Sequence, residues 1–363
     1  MAGCLRYLSI SRALGLLLVW LLLAGGVAAE PRRLGPAPEG SFTIVVIPDT
    51  QEYRGKGTKA EPKSQAPLTN TAFDAHMRWI LANLQTQRIV FVSHVGDIVD
   101  INVPEQWDLA RRSMDQLHGR VPYGISVGNH DMKASGDSRL FQQYFPASRF
   151  AGLSWYGGCY AGSAPSLSGN NANSHQRFSA HGLDFVFLHL ECNAPDDVLR
   201  WADGVLRENA SRRAIVTTHM GLGPLAAPKT AADFRDAPKG RMQWSKIHGR
   251  RGNSPQQMWD KCFRTHENLF LIFSGDQSRT QALRLASKND DGRPVYELLS
   301  DYHDHWLRVN RFLPEADRIE VYTIDSRDGS LCEGTDTDRD VSQHQFTLEY
   351  EMGRKKGGQE RRD

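Results

Sequence analysis

At 363 residues, 40% apolar and 24% charged, the chain can form one large or two modest soluble domains, with a core that needs no staples. Lys and Arg number 44 against 42 Asp and Glu, and Arg6 and Arg12 belong to a distinct N-terminal segment, without which the charge balances. A global electrostatic grip on nucleic acid or anionic lipid is therefore not supported.

In residues 1–29, Arg6 and Arg12 precede an apolar run from Leu14 to Ala24, and Val27-Ala28-Ala29 offers small residues where a signal peptidase reads. This pattern predicts a secretory signal peptide cut after Ala29; the competing membrane anchor asks for a longer apolar run. No later segment reaches transmembrane length, so the mature chain is expected to be soluble and exported, periplasmic or secreted. Residues 30–41, rich in Pro and Gly, predict a linker, and residues 42–352 a single domain.

Within that domain Phe42–Ile47 predicts a strand buried on both faces. Phe73, Met77, Ile80 and Leu84 share one face of a helix expected over about 70–86. Arg88–Val92 is the next strand. Pro104 and Glu105 open a helix that turns Trp107, Ala110, Met114 and Leu117 toward the core and ends at Gly119. Val121–Val127 follows as a third strand. Leu183–Leu190 and Ala214–Thr218 are strands flanking a helix near 196–208, and a helix near 255–266 leads into the strand Leu269–Phe273. The alternation then stops. Val295–Ser300, Trp306–Phe312, Ile319–Ile324 and Phe346–Tyr350 read as strands joined by turns. Helix-linked strands followed by a β-rich end predict a mixed sheet system with helices outside. Residues 353–363, charged and containing Gly, are expected to be a disordered tail.

Two long stretches, 146–182 and 220–253, read as irregular, and the second carries seven Lys and Arg against Asp233 and Asp236. Cys4 would leave with the signal. Cys159, Cys192, Cys262 and Cys332 permit two disulfides in three pairings, or four buried thiols, and their spacing fits no metal knuckle.

Polar residues gather where strands end: Pro48-Asp49-Thr50-Gln51, Gly96-Asp97-Ile98-Val99-Asp100, Gly128-Asn129-His130-Asp131, Thr218-His219 and Gly275-Asp276-Gln277-Ser278. In open α/β sheets the carboxyl ends of strands open onto one crevice. Carboxylates crowded there repel unless cations neutralise them, so a metal centre is expected.

The ordered set D-x-Q, G-D-x-x-D, G-N-H-D and a strand-terminal His resembles the calcineurin-like metallophosphoesterase superfamily, over roughly residues 42–350. The resemblance implies an α/β fold, a four-layer α/β/β/α sandwich of two mixed sheets, with a dinuclear metal site. It implies that Asp49 and Gln51 hold the first ion, that Asp97 bridges, and that Asn129 and His219 hold the second. His130 would protonate the leaving oxygen, with Asp100 orienting it. Two ions can lower the pKa of a bridging water and clamp phosphoryl oxygens, while a His–Asp pair supplies a proton near neutral pH.

The sequence departs from that family in two places. Where G-H-x-H is usual, Gly275-Asp276-Gln277-Ser278 stands; Asp276 can replace one His, but Ser278 is a weak ligand. The oxygen-rich set favours hard ions such as Mn²⁺, Mg²⁺ or Ca²⁺; two divalent ions, Mn, Mg or Fe in preference to Zn, are expected. His303-Asp304-His305 either reaches in to fill the gap or is a solvated loop. The phosphoprotein phosphatases of the superfamily carry Arg after the G-D-x-x-D acid, and Ile101 stands here. A phosphate-gripping cation must come from elsewhere: Arg250 or Arg251, joined by Asn129, would contact substrate, unless the basic loop is simply solvated. The other histidines take plainer roles. His94 should bond locally, His76 and His118 should be surface or satisfied residues, and His189 structural. Asp131 should bond backbone, and Trp155 and Tyr156 either stack on substrate or pack their loop.

The expected function is hydrolysis of small phosphate mono- or diesters by an exported enzyme; the alternative is a binding protein that keeps the fold with impaired catalysis. With balanced charge and no basic stripe interleaved with aromatics, a nuclease is disfavoured and no nucleic-acid or membrane partner is expected after signal removal.

Overall fold

The computed structural model describes residues 30–162, 168–223, 230–236, 245–276 and 280–352. The expected signal segment, Gln277 and Ser278, and the tail from 353 lie outside the described residues.

The strands in chain order are β1 (Phe42–Ile47), β2 (Ile89–His94), β3 (Tyr123–Ile125), β4 (Tyr156–Cys159), β5 (Ser174–Ala180), β6 (Leu183–Leu190) and β7 (Arg213–Met220). They continue with β8 (Leu269–Gly275), β9 (Ala282–Lys288), β10 (Pro294–Ser300), β11 (Trp306–Leu313), β12 (Arg318–Asp325) and β13 (Gln345–Glu349). One sheet runs β13-β12-β11-β1-β2-β3, the other β4-β5-β6-β7-β8-β10-β9. Both are mixed. β1, β2 and β3 are mutually parallel, as are β6, β7, β8 and β10; the outer strands pair antiparallel.

Period-two alternation builds four layers. In β1, Phe42, Ile44 and Val46 face a cluster shared with Phe185 and Phe187 of β6 and Leu271 and Phe273 of β8, the core between the sheets. Val45 and Ile47 turn the other way, onto Phe73 and Met77 of α1 (Thr71–Asn83) and Trp107 and Met114 of α2 (Pro104–Asp115). In β6, Val186, Leu188 and Leu190 meet Val198, Leu199 and Leu206 of the helix Asp196–Glu208 and Met258 and Trp259 of the helix Pro255–Lys261. The architecture is the α/β/β/α sandwich expected from the motif set. Its outer layers carry weight: Trp107 is fully buried, and truncating such a residue to Ala costs about 3–5 kcal/mol.

Two helix starts brace the loops that matter. Asn70 Oδ1 caps α1 by accepting from Phe73 N at 3.0 Å, while Asn70 Nδ2 donates to Thr50 O at 2.7 Å, tying the helix to the D-x-Q turn. Near the start of α2, Gln106 Oε1 accepts from both Asp100 N and Ile101 N at 2.9 Å, closing the G-D-x-x-D turn.

The structure revises parts of the sequence reading. Stretch 146–182 contains β4 and β5, which pair antiparallel, so it is not wholly irregular. The strands after Leu269–Gly275 do not form one run: β10 lies parallel to β8, with Leu299 opposite Ser274, and β11 belongs to the other sheet. The helix from Pro255 stops at Lys261, because Cys262 leaves helical geometry (φ −138°) and a 3₁₀ turn follows. The segment expected to be a linker bonds onto the domain: Leu34 N donates to Gly329 O and Ala37 N to Thr86 O. From Arg32 onward the described residues form one compact unit. Cys159, Cys192, Cys262 and Cys332 are free thiols, three of them buried and Cys159 partly exposed. Among the described residues no helix is long and apolar enough to cross a membrane.

Candidate metal centre

The carboxyl ends of the parallel strands from both sheets meet at one place. Asp49 follows β1, Asp97 follows β2 and His219 lies near the end of β7, and one ligand atom from each falls within 4.8 Å of the others. His219 Nε2 is 3.2 Å from Asp97 Oδ2 and 3.9 Å from Asp276 Oδ1. All of these side chains are buried or nearly so.

Glycines make this convergence possible. A Cβ on Gly128 would lie 2.1 Å from Asp97 Oδ1, and one on Gly275 2.4 Å from Asp49 Oδ1. Gly96 sits at φ +111°, where a side chain would both strain the backbone and press on His219 Nδ1. Asp97 (φ +51°) and Asp276 (φ +54°) themselves adopt left-handed backbone, which aspartate tolerates better than most residues and which recurs where side chains are aimed into sites.

The donor chemistry fits a divalent cation. Asp49 Oδ1, Asn129 Oδ1, His219 Nε2 and Asp276 Oδ2 are buried without a hydrogen-bond partner. A buried acceptor left so is costly unless something else satisfies it. His219 Nδ1 donates to the Val95 carbonyl at 3.0 Å, which leaves the lone pair on Nε2 and aims it at the carboxylates. Electrostatics point the same way. Burial raises Asp49 well above the usual carboxylate range, with Asp301 adding to the shift, and burial lifts Asp276 to about 7. Burial alone would lower His219, yet the charges of Asp97 and Asp49 carry it well above its ordinary value. Concentrated negative charge thus demands a positive partner, and a metal ion supplies one.

Gln51 lies in the cluster, its Nε2 donating to Asp97 Oδ2 at 2.5 Å. In that orientation it offers a donor; ligation requires the amide to turn its oxygen inward. His130 N donates to Asp97 Oδ1 at 2.8 Å, fixing the G-N-H-D turn beside the acid. Asp131 bonds backbone, as expected, and does so across two turns: it accepts from Gly128 N, Ile98 N and Val99 N. Asp100 meets His130 differently from the expected carboxylate contact. His130 Nδ1 donates to the Asp100 main-chain carbonyl at 2.7 Å, while the carboxylate stands 3.6 Å away. The carboxylate is taken instead by Lys59.

Arg250 and Arg251 lie exposed on the 3₁₀ turn Gly249–Arg251, and it is His248 before them that turns inward, to the Cys192 carbonyl at 2.9 Å. Trp155 and Tyr156 pack on Phe150 and on each other, and the Tyr156 hydroxyl donates to Asn171. His94 bonds locally to Thr50 Oγ1 and Gly96 N, and His189 to Gln176 and Ser93 within the sheets. Of the His303–His305 loop, His303 and Asp304 are exposed, and Asp304 lies close enough to Glu52 for its charge to add to the burial that raises that carboxyl.

Two residues escaped the sequence reading. Asp301 is buried directly after β10, and its charge bears on both Asp49 and Asp276. The strand-end rule would have found it had β10 been assigned as parallel. Lys59, in the loop between β1 and α1, reaches Asp100 and His130, and carries no sequence signal of its own.

The family model for calcineurin-like phosphoesterase matches residues 42–249. The chain is 26% identical over 334 residues to the uncharacterized protein YvnB of Bacillus subtilis (strain 168), covering 87% of this chain and 22% of that protein. It therefore spans about a fifth of the length of the curated relative it matches. Among solved structures, the NAD nucleotidase NadN of Haemophilus influenzae aligns with a TM-score of 0.44 at 11% identity, over 80% of this chain and 48% of that one. A 5'-nucleotidase precursor from Thermus thermophilus aligns at 0.41 and 13%, over 80% of this chain and 53% of that one. The match over more than half of the chain, on the segment that carries Asp49, Asp97, Asn129, His130 and His219, shows that the chain belongs to the calcineurin-like phosphoesterase family.

Proposed function

We propose that the chain is an exported hydrolase of small phosphate mono- or diesters, working with two divalent ions. The observation that carries this reading is the convergence of Asp49, Asp97 and His219 from two sheets, with Asp276 Oδ1 3.9 Å from His219 Nε2, while Asp49 Oδ1, Asn129 Oδ1 and Asp276 Oδ2 are buried without a hydrogen-bond partner. Asp49, Gln51 and Asp97 would hold one ion, with Asp301 adding charge beside Asp49; Asp97, Asn129, His219 and Asp276 would hold the other. When bound, such ions supply Lewis acidity to phosphoryl oxygens and to the attacking water.

The protein's own residues do the rest. With its Nδ1–H given to the Asp100 carbonyl, His130 keeps Nε2 to hand a proton to the departing oxygen. Asp131 locks the two turns that carry Asp97 and His130 together. The Asn129 amide has a lone pair for an ion or an N–H for a phosphoryl oxygen without adding charge. Exposed Arg250 and Arg251 are proposed to meet the substrate phosphate. Oxygen donors dominate the set, which favours Mn, Mg or Fe over Zn. Export is supported by the composition of residues 1–29.

The 363-residue protein with added Mn²⁺ should hydrolyse aryl phosphate mono- or diesters, and both chelator and Asp97→Asn should abolish turnover. The replacement of G-H-x-H by Gly275-Asp276-Gln277-Ser278 favours a second reading, a phosphate-binding protein without turnover. Inorganic phosphate binding with no hydrolysis across a panel of divalent metals would select it.

A further inference from the structure

We propose that Lys59 is a positioning residue for proton delivery by His130, a role that rests on the phosphoesterase reading above. Lys59 Nζ donates to the main-chain carbonyl of Asp100 and to its Oδ1, both at 2.7 Å. That same carbonyl accepts His130 Nδ1–H at 2.7 Å. A carbonyl oxygen has two lone pairs, so both donors can bind it at once. Lys59 Nζ stands 3.3 Å from His130 Nδ1, and since both are donors here, the ammonium fixes the ring through their shared acceptor.

The shared acceptor is itself held rigidly. Asp100 N and Ile101 N both donate to Gln106 Oε1, and Gln106 is buried in the first turn of α2. On the other side, the loop that delivers Lys59 is braced. Thr58 Oγ1 donates to Gly55 O and accepts from Glu61 N, and Gly55 N donates to Glu61 Oε2. Gly55 (φ +97°) approaches the Pro67 carbonyl so closely that a Cβ would lie 2.2 Å from it. A solvated surface ion pair contributes about 0–1 kcal/mol and needs no such scaffold. Lys59 has a 55% exposed side chain, yet its ammonium is spent on a carboxylate and a carbonyl that are partly buried at the site.

The chemistry that follows is specific. As a water oxygen bonds to phosphorus and the bond from phosphorus to the leaving oxygen breaks, the proton on His130 Nε2 passes to that oxygen, and the proton released by the attacking water restores the charged ring. A leaving oxygen that is a weak base needs little help; an alkoxide needs the proton in flight. Loosening His130 should therefore hurt alkyl phosphates far more than p-nitrophenyl phosphate.

The test compares Lys59→Met, Lys59→Arg and His130→Ala in the 363-residue, Mn²⁺-loaded protein on p-nitrophenyl phosphate and on an alkyl phosphate. Lys59→Met should lower kcat for the alkyl ester about tenfold or more, leave the aryl ester within about twofold, and leave KM and bound metal unchanged. Lys59→Arg should restore most of the loss. In the His130→Ala background, Lys59→Met should do nothing further, because both act through one proton. Equal losses on both esters, a rise in KM alone, or additive effects with His130→Ala would overturn the role. A wild-type protein that turns over neither ester would overturn the phosphoesterase reading itself, and this role with it.

Discussion

His219 gives its Nδ1–H to the Val95 carbonyl at 3.0 Å, and that bond decides which nitrogen faces the carboxylates. Val95 immediately precedes Gly96-Asp97, so the turn that presents Asp97 also fixes the tautomer of the histidine opposite it. A first-sheet turn and a second-sheet strand are thereby locked as a pair.

That lock predicts metal-linked stability. Mn²⁺ at a hundredfold over its Kd should stabilise the protein against urea by about 2.7 kcal/mol per site, and chelator should reverse it. His219→Gln should lose most of the gain. Urea titrations that superimpose with and without Mn²⁺ would count against the site.

Gly128→Ala probes the close approach behind Asp97. The added methyl would lie 2.1 Å from Asp97 Oδ1 and 2.2 Å from its backbone N, so the acid must move. Metal affinity should fall about tenfold or more, as misplaced ligands usually cost. Unchanged affinity by calorimetry would show that the turn has slack.

His130→Ala should leave bound metal unchanged and lower kcat for an alkyl phosphate by about 10²–10⁴. The aryl ester should suffer less. Loss of metal in this variant would assign His130 to the ion instead of the leaving group.

Outside the cluster, Glu191 follows β6 and is fully buried, and burial pushes its carboxyl from 4.5 up to about 7. A folded-state pKa above the unfolded one gives stability that is complete below about 4.5 and lost as pH rises through about 7. Glu191→Gln should thus be nearly neutral at pH 5 and stabilising at pH 8, by up to roughly 3 kcal/mol. Denaturant unfolding at the two pH values checks the sign; a variant equally stable relative to wild type at both would contradict it.

The sequence carried the inner architecture because buried parallel strands leave apolar runs with polar ends. Phe42–Ile47 and Leu183–Leu190 matched their strands residue for residue, and Asp49, Asp97 and His219 followed from strand ends. β5 stayed hidden because Ser174, His175, Gln176 and Arg177 give it a polar start, and its pairing with β6 is a tertiary fact. Asp301 was missed for a related reason: nothing local says that β10 runs parallel to β8 and not antiparallel. Lys59 could not be read at all, since a loop lysine becomes informative only when its hydrogen-bond partners are known.

The most direct test of the metal centre is Mn²⁺ binding by equilibrium dialysis with electron paramagnetic resonance, on wild type and Asp97→Asn. Two ions per chain with a spin-coupled signal, both coupling and stoichiometry lost in Asp97→Asn, is the expected result. Wild-type protein that binds no divalent ion, or Asp97→Asn that binds as wild type does, would mean that these converging side chains serve some other end.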